Sequence, residues 1–272
     1  MTQALFVREG DAFVPTRLSG SPWSPDLLHG GPPTGLLAYA LERAADTVNL
    51  RLTRLTVDLL RPVPSAPLTV RVETVRSGRR LQLLTAALLA DGVEVSRATA
   101  LFLERREVTV PDYGRFPTET LPSPEGRPVS TLAELSGMNK ADKHRLPGLH
   151  TTAEACLIDG TGGRGAGRVW MRLPVPVVAG EPVSPTVQAA TLCDFGNGVG
   201  QLRLAPDVGT INADISLHLH RTPAPGWLGL DARSRMQPDG VGLAETVLYD
   251  ELGSVGRVTQ TTLAMPVYKA ST

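Results

Sequence analysis

Asp194 is the residue of this sequence whose setting most invites chemistry, because it interrupts an otherwise apolar helical run beside Ala190, Thr191 and Phe195. A carboxylate among apolar neighbours either finds partners or has its pKa raised by desolvation, and a raised carboxyl suits a base working near neutral pH. His29, Gly30 and Gly31 form a second candidate group, placed immediately before a helix. Amides at a helix start attract the negative charge that develops during attack on a carbonyl. A base and a set of such donors are what delivery of water to a carbonyl carbon requires. His29 itself reads either as a further donor or as a cap on its loop.

Other reactive types carry less. Cys193 adjoins Asp194, but successive helix residues point about 100° apart, so a packed thiol is the simpler reading. His218 and His220 share one face of a strand, yet no third ligand stands at a recognisable spacing, so they read as surface histidines and no metal site is expected.

The elements that position these residues come in two copies. Residues 55–103 align without gaps on residues 215–263, with Arg61 on Arg221, Val95 on Val255, Arg97 on Arg257 and Thr99 on Thr259. Each copy alternates apolar and polar residues in short runs broken by Gly, Pro and Asp-Gly, the pattern of antiparallel hairpins. Strand alternation groups Ile211, Ala213, Ile215, Leu217 and Leu219 on one face and Asn212 on the other. A helix precedes each copy: TGLLAYALERAADTV after Gly30, Gly31, Pro32 and Pro33, and TVQAATLCDFGNG after Pro185. Aligning the two helix starts puts Glu42 on Asp194, where Glu42 reads as a solvated helix charge in preference to the remnant of a second site. The fold class expected is α+β, two tandem units, each a long central helix wrapped by an antiparallel sheet. The units expected are 1–108 and 145–272, joined by a Pro-, Glu-, Arg- and Ser-rich linker at 109–144.

Composition limits the partners. Lys plus Arg and Asp plus Glu number 27 each, so a net charge of zero gives no reason to expect nucleic acid or a charged membrane surface. The first residues, MTQALFVREGDAF, do not read as a secretory signal, and no apolar run approaches the roughly 18–20 residues that span a bilayer. Two cysteines exclude a disulfide framework. A cytoplasmic protein is the expectation.

HGGPPTGLLAYAL (29–41), LTVDLLRPVPSAPLTVRVETVRSGR (55–79), LCDFGNG (192–198), INADISLHLHR (211–221) and VGRVTQTTL (255–263), in this order and spacing, resemble the double-hotdog acyl-CoA thioesterases of the bacterial thioesterase II type. The resemblance implies a double hotdog that hydrolyses acyl-CoA, a small-molecule substrate of which CoA is itself a part, with no other cofactor. It also implies a catalytic set at Asp194, Asn212 and Gln260. Asn212 departs from the family's hydroxyl residue, and the same alignment sets Ala100 opposite Gln260, so one complete site is expected. Carboxylate and helix start face each other across fused units of this kind, which pairs Asp194 with Gly31. Association into a homo-oligomer is compatible with the fold. Arg76, Arg79 and Arg80, around a Gly turn, are candidates for the CoA phosphates or ordinary solvated turn residues. Two other readings compete: a non-catalytic acyl-CoA-binding hotdog protein, and a hotdog hydratase. The hydratase reading lacks its acid–base pair, because Ser21 stands where that loop needs an Asp, and Leu27 or Leu28 near the expected His.

Overall fold

The computed structural model describes residues 3–135, 146–160 and 162–266. A hairpin of β1 (Phe6–Glu9) and β2 (Ala12–Pro15) leads to α1 (Gly31–Ala44) and then to β3 (Leu50–Asp58), β4 (Leu68–Ser77), β5 (Leu81–Ala90) and β6 (Val93–Glu104). After a long connection come β7 (Ser130–Thr131), α2 (Leu132–Leu135), α3 (Leu149–Thr152), β8 (Glu154–Gly160) and β9 (Ala166–Arg172). The helical run α4 (Pro185–Leu192) and α5 (Gly196–Val199) follows, and then β10 (Val208–Asn212), β11 (Asp214–Leu219), β12 (Leu228–Met236), β13 (Val241–Asp250) and β14 (Gly253–Pro266).

The strands form one antiparallel sheet in the order β1-β2-β4-β5-β6-β3-β11-β14-β13-β12-β9-β8-β7, with β10 also on β14. The repeat survives as strand register. Strands β4, β5 and β6 begin at Leu68, Leu81 and Val93, and β12, β13 and β14 begin at Leu228, Val241 and Gly253, each at the sequence offset that puts Arg61 on Arg221. The halves join where β3 pairs with β11, from Asp58 opposite Asp214 to Arg54 opposite His218, so neither strand is left as an open edge. Asp91 (φ 47°) and Gly92 (φ 74°) adopt the left-handed conformations that a tight two-residue hairpin needs between β5 and β6.

Helix α1 starts where the sequence places it. Pro32 and Pro33 occupy its first turn, where a missing N–H breaks no intrahelical bond. Leu36, Leu37 and Leu41 are fully buried beneath the sheet. Its Gly31–Gly35 face crosses α4 closely: a Cβ on Gly31 would lie 2.5 Å from the Thr191 carbonyl oxygen. Only glycine permits this approach.

The second helical run differs from the expectation of one long helix. α4 stops at Leu192, a 3-10 turn covers Cys193–Phe195, and α5 resumes for four residues. Gly196 and Gly198 weaken helix propensity here, and the Asn197 N–H bonds the side chain of Gln260 at 2.9 Å instead of continuing an α-helical ladder. The linker is also less detached than its composition suggests. Leu121 packs with buried Cys156 and Trp170, Thr120 Oγ1 donates to the Asp250 carbonyl at 2.9 Å, and Ser130–Thr131 joins the sheet edge. The boundary expected at 144/145 lies outside the described residues. Among the described residues, no helix is long and apolar enough to cross a membrane.

Candidate active site

The break in the second helical run positions Asp194. Its side chain leaves the 3-10 turn toward the start of α1 and is only 4 % exposed. His29 Nδ1 lies 2.7 Å from Asp194 Oδ2, and Asn212 Nδ2 donates to Asp194 Oδ1 at 2.9 Å. The Gly31 N–H also points at the carboxylate. Gly30 completes the enclosure by what it lacks, since a Cβ there would sit 2.9 Å from both carboxylate oxygens.

The electrostatics follow from this packing. Burial pushes the Asp194 carboxyl up, but His29 (through its hydrogen bond, and through its charge whenever the ring is protonated), the hydrogen bond from Asn212 and the Gly31 amide together bring it below the usual carboxylate range. Of the two states foreseen for a carboxylate in an apolar helix, the structure shows the partnered one. The positive end of α1 adds to the same stabilisation.

Asn212 reaches Asp194 because the strand carrying it bulges. Asn212 lies opposite Thr262, whereas Ser216 lies opposite Thr259, so four steps along β10 and β11 face three along β14. The extra residue at Ala213 reverses the alternation read from sequence: Ile211 is 43 % exposed and Asn212 turns inward. A strict period of two placed Asn212 on the outer face and Ile211 and Ala213 on the inner one, and the bulge corrects all three.

Gln260 is fully buried and holds the turn rather than the carboxylate. Its Nε2 donates to the Asp194 carbonyl at 3.2 Å while its Oε1 accepts from Asn197 N. Asn197 in turn bonds Thr210, through Thr210 Oγ1 to Asn197 Oδ1 at 2.8 Å. Both Asn212 and Gln260 thus grip Asp194 and its backbone.

His29 is fixed on three sides. One ring nitrogen cannot both donate to Asp194 and accept from Gly31, which approaches it at 3.3 Å. An ionised carboxylate only accepts, so the 2.7 Å contact places the proton on Nδ1 and leaves the Gly31 N–H to the carboxylate. Trp23 stacks on the imidazole with centroids 5.6 Å apart at 22°, and Phe195 packs on it at 4.9 Å and 44°. Neither aromatic was singled out from sequence: Trp23 sits in an unremarkable SPWSP turn, and Phe195 passes for core.

The remaining candidates resolve simply. Cys193 is fully buried, its Sγ lies 3.1 Å from the Ala190 carbonyl, and burial holds its thiol well above the ordinary cysteine range. His218 is exposed, and His220 stacks under Phe116 on the outer face of the sheet. Arg79 lies in the exposed β4–β5 turn, 4.0 Å from Glu104. Ser21 Oγ accepts from the amides of Trp23 and Ser24 and shapes their turn. Glu42 is a half-buried carboxylate bonded to Ser184, not the solvated charge expected.

Known proteins agree with this architecture. A comparison with curated proteins finds no match. Among solved structures, the chain is similar to the acyl-CoA thioesterase II TesB2 of Mycobacterium marinum, at 18 % identity and a TM-score of 0.65 over 87 % of this chain and 89 % of that one. It is similar to a tesB protein of Mycobacterium avium subs paratuberculosis, at 19 % identity and a TM-score of 0.68 over 96 % of each chain. A hot dog fold protein of unknown function from Alicyclobacillus acidocaldarius gives 19 % identity and a TM-score of 0.68, over 98 % of this chain and 96 % of that one. At such identities these neighbours establish the hotdog fold alone. The family itself is shown by sequence models for the acyl-CoA thioesterase N-terminal domain, which matches residues 19–103, and the acyl-CoA thioesterase C-terminal domain, which matches residues 116–264. With most of its length so matched, the chain belongs to the acyl-CoA thioesterase family.

Proposed function

We propose that the chain hydrolyses acyl-CoA thioesters, as two fused hotdog units with one complete site centred on Asp194. The observation that carries this reading is the burial of the second half's Asp194 carboxylate against Gly30 and Gly31 at the start of the first half's helix. Water is activated through Asp194, which Asn212 and Gln260 hold in place. The thioester carbonyl lies at the positive end of α1, where an oxyanion gains most from amide donors and the helix field. With Gly31 N–H turned to Asp194, the Gly30 N–H is the amide left to that oxyanion. Pro32 and Pro33 have none to offer.

Thiol release from short, long and aromatic acyl-CoAs tests the proposal on the wild type and Asp194→Asn. Release that falls about 10²–10⁴-fold in the variant supports it, the range expected for loss of general acid–base assistance. No release from any acyl-CoA by the wild type, with acyl-CoA still bound, would assign the groove to binding without turnover.

A further inference from the structure

We propose that His29 is the catalytic base of this site, acting through Nε2, and that Asp194 is the positioning residue that holds its Nδ1–H. The proposal rests on the hydrolase reading above and names the atom that takes the proton.

Three donors already converge on the Asp194 carboxylate: His29 Nδ1, Asn212 Nδ2 and the Gly31 amide. At 4 % exposure, with Gly30 closed against both oxygens, little of it is open to a water. The imidazole presents the opposite situation. Its Nδ1 must carry the proton, because its partner there is a carboxylate. Neutral imidazole protonated on Nδ1 offers a lone pair on Nε2. Trp23 and Phe195 pack on the ring and fix its plane, and among the described residues nothing bonds Nε2. The ring keeps 10 % of its side-chain surface, beside the half-exposed Trp23. A clamped imidazole with one nitrogen on a buried carboxylate and the other free is oriented for proton transfer.

The step balances as follows. A water O–H bond breaks and its proton passes to His29 Nε2. The water oxygen bonds the thioester carbon, and the carbonyl π pair moves to oxygen at the start of α1. When the tetrahedral adduct collapses, the C–S bond breaks and the departing sulfur takes the proton from Nε2–H. Carboxylic acid and thiol leave, and His29 is again neutral with its proton on Nδ1. Asp194 remains ionised throughout, stabilising the transient imidazolium.

The test uses the full chain, the acyl-CoA panel, and the variants His29→Gly, His29→Gln and Asp194→Asn, with thermal unfolding of each as a control for folding. Both His29 variants are expected to lose about 10²–10⁴ in kcat. Added imidazole is expected to restore His29→Gly in a saturable way, and an equal concentration of a non-titrating salt is not. Rescue of this kind is a readout that a merely structural His29 would not give. Two results would overturn the assignment. One is His29→Gln turning over within about threefold of wild type while Asp194→Asn is inactive, which would make the carboxylate the direct base. The other is loss without imidazole rescue in a His29→Gly variant of wild-type stability. Absence of thioester turnover in the wild type would instead remove the hydrolase reading, and this assignment with it.

Discussion

The Glu42 carboxylate accepts a hydrogen bond from Ser184 Oγ at 2.6 Å, and Ser184 is the N-cap of α4. An acid near the end of the first half's helix thereby closes on the start of the second half's helix. Asp194 repeats the relation in reverse, closing on Gly30 and Gly31 at the start of α1. The two acids occupy equivalent places in an internally duplicated chain, and their surroundings separate them. Asp194 has His29, Asn212 and a glycine start, whereas Glu42 meets a capping serine.

Glu42 therefore behaves as a stability group. Burial raises its pKa above the ordinary glutamate value of 4.5, and the Ser184 hydrogen bond offsets only part of the rise. A group whose folded pKa is raised contributes stability below its unfolded pKa and loses it as pH climbs through the folded value. Glu42→Gln, which stays neutral and still accepts from Ser184, is expected to raise Tm at pH 7. The gain should fade as pH drops toward 4.5. Thermal unfolding of both proteins across that range checks it, and a variant less stable at pH 7 would contradict it.

Gly30→Ala tests the closeness of carboxylate and helix start. A methyl 2.9 Å from both Asp194 oxygens forces the carboxylate or the helix start to shift by several tenths of an ångström. Displacement on this scale at a reacting centre costs up to about 10²-fold in rate. Acyl-CoA turnover should fall accordingly while far-UV CD stays that of the wild type. Full activity in the variant would mean that turnover does not depend on the close approach of Asp194 to the helix start.

Gln260→Ala removes both anchors of the helix break, leaving the buried Asp194 carbonyl without its donor and the partly buried Asn197 amide without its acceptor. Unpaired buried groups cost about 1–3 kcal/mol, so denaturant unfolding should show a loss of that order. Turnover should fall as well, because Asp194 rides on the turn. Gln260→Glu should keep the acceptor for Asn197 but set an unpaired buried carboxylate against the Asp194 carbonyl, so at pH 7 it should be no more stable than Gln260→Ala.

Asp250 gives a control far removed from proton transfer. It is almost fully buried, pairs with Arg221 through both carboxylate oxygens, and accepts from Ala224 N at 2.7 Å and Leu252 N at 2.9 Å. Burial pushes its carboxyl up, but Arg221 and the two amides outweigh that and hold it below the ordinary aspartate value of 3.8. A depressed carboxylate stabilises the fold above its unfolded pKa, and the contribution disappears as pH falls through the folded value. Asp250→Ala should cost about 3 kcal/mol at pH 7, with a smaller difference below pH 3.8, measured by urea unfolding.

Much of this protein is legible without coordinates. The duplication, the glycine–proline start of α1 and the hairpin turns are local properties of the chain, written in residue spacing and in the backbone limits of Gly and Pro. The antiparallel sheet and the prominence of Asp194 follow from them. Tertiary structure decided the rest, because the site is assembled from four segments far apart in sequence. A one-residue bulge at Ala213 turns Asn212 inward, and such an irregularity is set by pairing with β14 rather than by the alternation of β10. The second helical run breaks at Cys193–Phe195 because a side chain 63 residues further on, Gln260, takes an amide of that run. The imidazole of His29 acquires its orientation from Trp23 in its own segment and from Asp194 and Phe195, which are far away in sequence. Spacing along a chain specifies which groups can act, but only folding fixes the distances and the desolvation that decide which of them holds a proton.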